Sequence, residues 1–222
     1  MGVKGQFIAF EGCEGSGKTT QIKLLTKILV SKGFDVLATR EPGGSPGGED
    51  VRTLLKQGHE NRWDGLSEAL LLYAARHDHV EKIIKPAIDK GTWVLCDRFS
   101  DSSFAYQGFG RGLGLQTLEK LHTLVLGDFF PDLTFIFDIP PQETYERVLR
   151  RRSRPGQGGD RFDDMEMAFH QRVYEGYHVI AQKYAHRCAV IQATVSIEAI
   201  QENIVGVLEK KFSDSGALKP HV

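Results

Sequence analysis

Apolar positions along the chain fall into two patterns. Short, nearly continuous runs at FIAFE (7–11), DVLAT (35–39), TWVLCD (92–97), LTFIFDI (133–139) and AVIQA (189–193) read as strands. Most lack polar alternation, as in strands covered on both faces. Longer stretches at 18–32, 66–90, 115–126, 141–152, 162–185 and 196–211 carry helical patterning between them. Alternation of strand and helix predicts an α/β fold, a parallel sheet wrapped by helices. No repeat and no interdomain linker interrupts it, so residues 1–212 are expected to form one domain. The polar stretch 213–222 is expected to be a frayed tail. Two glycine-rich segments stand out, EPGGSPGGED (41–50) and RPGQGGD (154–160).

Composition narrows the function classes. The chain has 222 residues, 41% hydrophobic and 26% charged, with net charge -1. That balance excludes a broad electrostatic footprint for nucleic acid, so any anion site is local. The three cysteines, Cys13, Cys96 and Cys188, show no metal-ligand spacing and suit a reducing cytoplasm. Cys96 and Cys188 lie in apolar runs and are expected to be buried structural thiols. The N-terminus lacks the pattern of a signal peptide, and Gln6 stands where myristoylation needs Ser or Thr. No stretch approaches the ~20 apolar residues of a membrane span, so no membrane partner is expected.

The sharpest local signal is Gly12-Cys13-Glu14-Gly15-Ser16-Gly17-Lys18-Thr19, an ungapped G-x-x-x-x-G-K-[ST] between a predicted strand and a predicted helix. Glycines let the backbone curl so that N–H groups face phosphate oxygens, and the helix N-terminus adds its dipole. Lys18 reaches the β- and γ-phosphates of a bound ATP. Thr19, followed by Thr20, supplies a hydroxyl to Mg²⁺. No N-K-x-D segment is present to read guanine.

Three further segments carry polar residues beyond predicted strands or on a helix. ATREPGGSPGGEDVR (38–52) holds Arg40, Glu41 and Arg52. LCDRFSDSSFAYQGFGRG (95–112) holds Asp97, Arg98, Ser102, Ser103, Tyr106 and Gln107. LLLYAARHDHV (70–80) holds Arg76. Ligands in open α/β sheets collect beyond the carboxyl ends of strands, so these segments are expected to converge on the phosphate loop. Arg76 and Arg98 would clamp a second phosphate with planar forks. Asp97, closing an apolar strand, is a candidate for holding Mg²⁺ through water; the alternative is a helix-capping carboxylate.

ETYERVLRRRSRPGQGGDRFD (143–163) concentrates arginines at a helix end before residues that break a helix. Cations there suit the helix dipole. Their density before a glycine-rich loop favours a lid at about 150–160 that closes on the transferring phosphoryl group and excludes water.

FEGCEGSGKTTQ, TREPGGSPGGEDVR, DRFSDSSFAYQG, PDLTFIFDIPPQ and DRFDDMEMAFHQRV stand in order over residues 7–185, and together they resemble the bacterial type of thymidylate kinase. The resemblance implies a P-loop NTPase three-layer fold of the nucleoside monophosphate kinase type, with a five-stranded parallel sheet. It implies a homodimer, and conversion of ATP and dTMP to ADP and dTDP with Mg²⁺, a step toward dTTP. On this chain, Arg76 and Arg98 look like the dTMP phosphate clamp. Ser102, Ser103, Tyr106 and Gln107 look like base and sugar contacts. Glu14 resembles a carboxylate approaching the 3′-hydroxyl, and Glu41-Pro42 the loop over the deoxyribose. The family commonly places a stacking phenylalanine four residues before the arginine matched by Arg76. Leu72 stands there, beside Tyr73, and either one is a candidate for contacting thymine. The family's catalytic arginine lies in the phosphate loop or in the lid. This loop has Glu14 instead, which directs attention to Arg150, Arg151 and Arg154.

Two signals weigh less. His77, Asp78 and His79 look like metal ligands, but i and i+2 on a helix do not share a face. Cys13 is either a redox-sensitive thiol or a small spacer whose backbone N–H matters. A nucleotide-dependent binding protein without transfer activity is the reading from a different class; intact Lys18, Thr19, Asp97 and Arg98 argue against it.

Overall fold

The computed structural model describes residues 4–59, 62–152 and 165–212. β1 (Phe7–Gly12), β2 (Val36–Arg40), β3 (Trp93–Asp97), β4 (Leu133–Asp138) and β5 (Cys188–Gln192) fall on the predicted runs. They form one parallel sheet in the order β2-β3-β1-β4-β5. β1 lies between β3 and β4, so its carboxyl end opens at the point where the strand order reverses, the crevice that open α/β sheets use for ligands. β1, β3 and β4 are almost wholly buried, whereas β2 and β5, at the edges, are partly exposed.

The sheet's two faces follow the strand period. Ile8 and Phe10 point to one side and pack with Ile22, Leu25 and Leu29 of α1 (Lys18–Ser31) and Ile200 and Ile204 of α9 (Ile197–Phe212). Phe7 and Ala9 point to the other and meet Val80, Ile84 and Phe99. A second cluster on that side joins Ile136 to Tyr73 of α3 (Gly65–His79), Leu118 of α6 (Leu115–Leu126) and Val173, Tyr177 and Ile180 of α8 (Met167–Lys183). Helices therefore cover both faces of the sheet.

Three departures from the sequence reading have local causes. The glycine-rich stretch 41–50 contains the start of a helix, α2 (Pro46–Lys56). Ser45 caps it by accepting from the Gly48 amide, and Pro46 fills the first turn, where an N–H has no partner to lose. The helix expected over 66–90 is interrupted by a π-helical turn at Val80–Ile84 before α4 (Lys85–Asp89). Pro86 lacks the N–H that a regular helix would use there. The segment after β3 winds into α5 (Ser100–Ser103) and a second π-helical turn, Phe104–Gly110. Gly176 of α8 permits a close approach to that turn: a Cβ there would sit 2.8 Å from the Phe109 ring.

α7 (Pro141–Arg152) begins as expected at 141. The candidate Arg154, most of the proposed lid and the proposed tail 213–222 lie outside the described residues, as does the side chain of Arg151. Cys96 is buried as expected; Cys188 is only half-buried, because β5 is an edge strand.

Candidate active site

The phosphate loop runs from the end of β1 into α1. Gly12 adopts φ 130°, and a Cβ there would meet the Phe137 carbonyl at 2.8 Å, so both conformation and space demand glycine. Lys18 is buried and folds back on the loop. Its Nζ donates to the carbonyls of Gly12 (3.1 Å) and Cys13 (2.9 Å) and to Ser16 Oγ (3.3 Å). Burial, followed by the Arg98 charge, lowers its pKa. Thr19 and Thr20 are exposed on the first turn of α1. Thr19 Oγ1 donates to Asp97 Oδ2 at 2.7 Å, tying the loop to the end of β3. That contact joins two hard oxygen donors, the ligand type that Mg²⁺ takes.

Arg98 follows directly, at φ 73°, a conformation that non-glycine residues rarely adopt. Its guanidinium donates to Ser102 Oγ (3.0 Å), Tyr177 Oη (3.2 Å), Glu14 Oε1 (2.9 Å) and Tyr106 Oη (3.2 Å). One arginine thus gathers the acidic residue of the phosphate loop, two candidate acceptor-site residues and α8. The turn itself is held by Glu11, a fully buried carboxylate on β1. Glu11 accepts from the amides of Phe99 (2.7 Å) and Ser102 (3.1 Å), from Ser102 Oγ (2.5 Å) and from Tyr177 Oη (3.0 Å). Burial, then the Asp101 charge, pushes the Glu11 carboxyl up to about 7 against the pull of Arg98 and these donors.

Arg76, which as a lone helix charge would ordinarily be solvated, is 2% exposed. Its Nε donates to Glu41 Oε2 (2.6 Å), Nη1 to Ser103 Oγ (3.1 Å) and Nη2 to the Phe99 carbonyl (3.1 Å). Glu41 also pairs with His79 Nδ1 at 3.1 Å, and His79 Nε2 lies 2.8 Å from Thr39 Oγ1. With the carboxylate accepting, Nδ1 carries a proton. His79 therefore supports Glu41, while His77 faces outward. The peptide bond Glu41–Pro42 is cis. Arg52 donates to the Pro42 carbonyl at 2.8 Å, and Arg40 pairs with Glu49. These two arginines thus brace the 41–49 segment.

Leu72 and Tyr73 part company. Tyr73 lies in the core against Leu118, its hydroxyl 3.4 Å from the Leu118 carbonyl, and edge-on to His122. Leu72 is buried yet joins none of the apolar clusters among the described residues. It stands one helical turn before Arg76 and one after Glu68, on the same face of the helix. Gln107 Nε2 donates to Glu68 Oε1 at 2.7 Å. Cys13 is packed against Ile136, and burial pushes its thiol up to about 11, which opposes thiolate chemistry. Arg150 is exposed on α7 and contacts Glu146 at 3.5 Å.

No sequence motif singles out Glu11, Tyr177 or Glu68, and His79 stands out only within the His77–His79 cluster. Glu11 left a signal, an acidic residue at the end of an apolar strand. Tyr177 left none, because a tyrosine on an amphipathic helix is ordinary.

The family model described as thymidylate kinase matches residues 10–204. The chain belongs to the thymidylate kinase family. It is 44% identical to thymidylate kinase of Caulobacter vibrioides over 94% of this chain and 98% of that one. It is 44% identical to thymidylate kinase of a Geobacillus species over 89% and 93%. The crystal structure of thymidylate kinase from Ehrlichia chaffeensis superposes with a TM-score of 0.72 at 37% identity, covering 93% of this chain and 99% of that one. Membership makes the protein a phosphotransferase with the P-loop α/β fold of the nucleoside monophosphate kinases. Among the described residues no helix is long and apolar enough to cross a membrane.

Proposed function

We propose that this protein transfers the γ-phosphoryl group of ATP to dTMP, giving ADP and dTDP in the cytoplasm. The observation that carries the reading is the Arg98 hub, which links the phosphate loop through Glu14 to the acceptor-side residues Ser102 and Tyr106. A phosphate oxygen of dTMP attacks the γ-phosphorus while the bond to the β–γ bridging oxygen breaks, and ADP leaves. The loop amides and Lys18 hold the donor phosphates, and Arg98 orients the acceptor phosphate in line. Arg76, gripped by Glu41 and Ser103, lines the acceptor pocket beside it. Glu14 reaches the 3′-hydroxyl, and Glu41-Pro42, braced by Arg52, closes over the sugar. Leu72 gives the base an apolar wall. Thr19 and Asp97 would hold Mg²⁺, directly and through water; the ion neutralises charge on the transferring phosphates. One of Arg150, Arg151 and Arg154, in a lid at about 150–160, stabilises the equatorial oxygens. Two copies pair through α2 and α3, where Leu54, Leu66 and Leu70 are exposed, as a sizing column would detect.

A coupled ADP-release assay with ATP and Mg²⁺ tests the reaction. Turnover selective for dTMP over dCMP, dGMP and AMP is expected. ATP binding without turnover on any acceptor would make this a binding protein.

A further inference from the structure

Two facing segments meet in matched rungs. Along α3, Glu68, Leu72 and Arg76 follow one another at i, i+4 and i+8, one stripe of the helix. Opposite them, Ser103 closes α5 and Gln107 lies four residues on, within the second π-helical turn. Arg76 reaches Ser103 at one end and Glu68 reaches Gln107 at the other. Leu72 lies between the two polar rungs, where the acceptor base is expected.

The lower rung has a fixed polarity. Glu68 is completely buried; its Oε1 accepts from Gln107 Nε2 at 2.7 Å and its Oε2 from Arg111 at 3.1 Å. A carboxylate paired with a guanidinium accepts and does not donate. An amide beside it must therefore turn its NH₂ toward the acid, which settles the orientation of a side chain whose two ends are otherwise interchangeable. The Gln107 carbonyl is left facing away from Glu68. Oε1 is buried and finds no hydrogen-bond partner among the described residues, a costly state for a polar atom.

We infer that Glu68 is a positioning residue that locks the Gln107 amide with its carbonyl offered to the acceptor base, so that the site takes a pyrimidine carrying an N3–H donor and rejects one with a bare N3. The inference rests on the proposed dTMP reaction and adds a residue that touches no substrate. Thymine and uracil carry the N3–H. Cytosine presents a lone pair there and would face oxygen with nitrogen. The C5-methyl group is not read by this device.

Glu68→Gln keeps the size, but its carbonyl turns to Arg111, which only donates, and its NH₂ then faces Gln107, whose amide flips to accept. The kcat/KM ratio of dTMP to dCMP is expected to fall about tenfold or more, mainly through acceptor KM. The ratio of dTMP to dUMP and the KM for ATP should stay where they were, which general loosening of the site would not leave intact. Glu68→Gln/Gln107→Glu reverses the pair: the new amide on α3 donates, and the new carboxylate across from it offers only acceptors to the base. Preference for the N3–H bases should return. A folded Glu68→Gln protein with an unchanged dTMP:dCMP ratio would overturn the inference. So would parallel loss of dUMP discrimination. If the single variant does not fold, a double variant that fails to prefer dTMP over dCMP has the same force. Wild-type protein without dTMP turnover would strike the reaction itself; selective wild-type turnover with indifferent variants would strike only the role of Glu68.

Discussion

Replacing Tyr177 by Phe removes one oxygen and leaves the ring, so its effects belong to the hydroxyl. That oxygen lies 3.0 Å from Glu11 Oε2, 3.1 Å from Ser102 Oγ and 3.2 Å from Arg98 Nη1. Its bond to a buried carboxylate is charge-assisted, and losing such a bond costs about 1.5–3 kcal/mol. At about 2–4 °C per kcal/mol for a chain of this size, Tm should drop by roughly 3–12 °C. The Glu11 carboxyl is raised from 4.5 to about 7, so its contribution to stability is complete below the lower value and is lost as pH rises through the upper one. Removing a donor penalises the ionised form further. The gap between Tyr177→Phe and wild type should therefore be wider at pH 8 than at pH 5, where the bond to Glu11 is neutral and only the one from Arg98 is still charge-assisted. Arg98 also loses a group that fixes its fork, and kcat/KM for dTMP should fall about tenfold, equivalent to roughly 1.4 kcal/mol. Calorimetry at the two pH values and initial-rate kinetics measure both effects. A Tyr177→Phe protein with wild-type Tm, the same pH dependence and unchanged kcat/KM would refute the claim that this hydroxyl joins α8 to the arginine hub.

Three further outcomes are expected. One of Arg150→Ala, Arg151→Ala and Arg154→Ala should lower kcat about 10³-fold or more with little change in dTMP KM; near-normal kcat in all three would remove the lid from the chemistry. Leu72→Ala should raise dTMP KM with a modest Tm loss, whereas Tyr73→Ala should cost about 3–5 kcal/mol of stability; the opposite pattern would exchange their roles. His122 is buried against Phe130 at 3.9 Å, and burial holds its pKa down at about 4. A depressed histidine contributes stability above its ordinary 6.5 that is lost as pH falls through 4, so His122→Leu should abolish an acid destabilisation of up to about 3 kcal/mol. Urea midpoints at pH 7 and 4 measure it, and an unchanged acid slope would contradict the assignment.

The strands were legible because continuous apolar runs such as FIAFE and LTFIFDI have no place except between two helical layers. The phosphate loop was legible because its glycines and lysine are local in sequence. α2 was not, since its cap and first turn lie inside a glycine-rich run that also suits a loop. The π-helical turns were hidden for a related reason: periodicity does not register a one-residue slip in a helix. The Glu11–Tyr177 and Glu68–Gln107 contacts span 166 and 39 residues and exist only once the sheet has brought their elements together. Leu72 and Tyr73 were adjacent and both apolar enough for the core; only the packing of Tyr73 against Leu118 separates them.

The central claim is that the γ-phosphoryl group of ATP passes to dTMP, and following that group is the most direct test. Wild-type protein incubated with γ-³²P-labelled ATP, Mg²⁺ and dTMP should place the label in dTDP, with little in inorganic phosphate. Label released to phosphate without labelled dTDP, or retained entirely in ATP, would contradict the account.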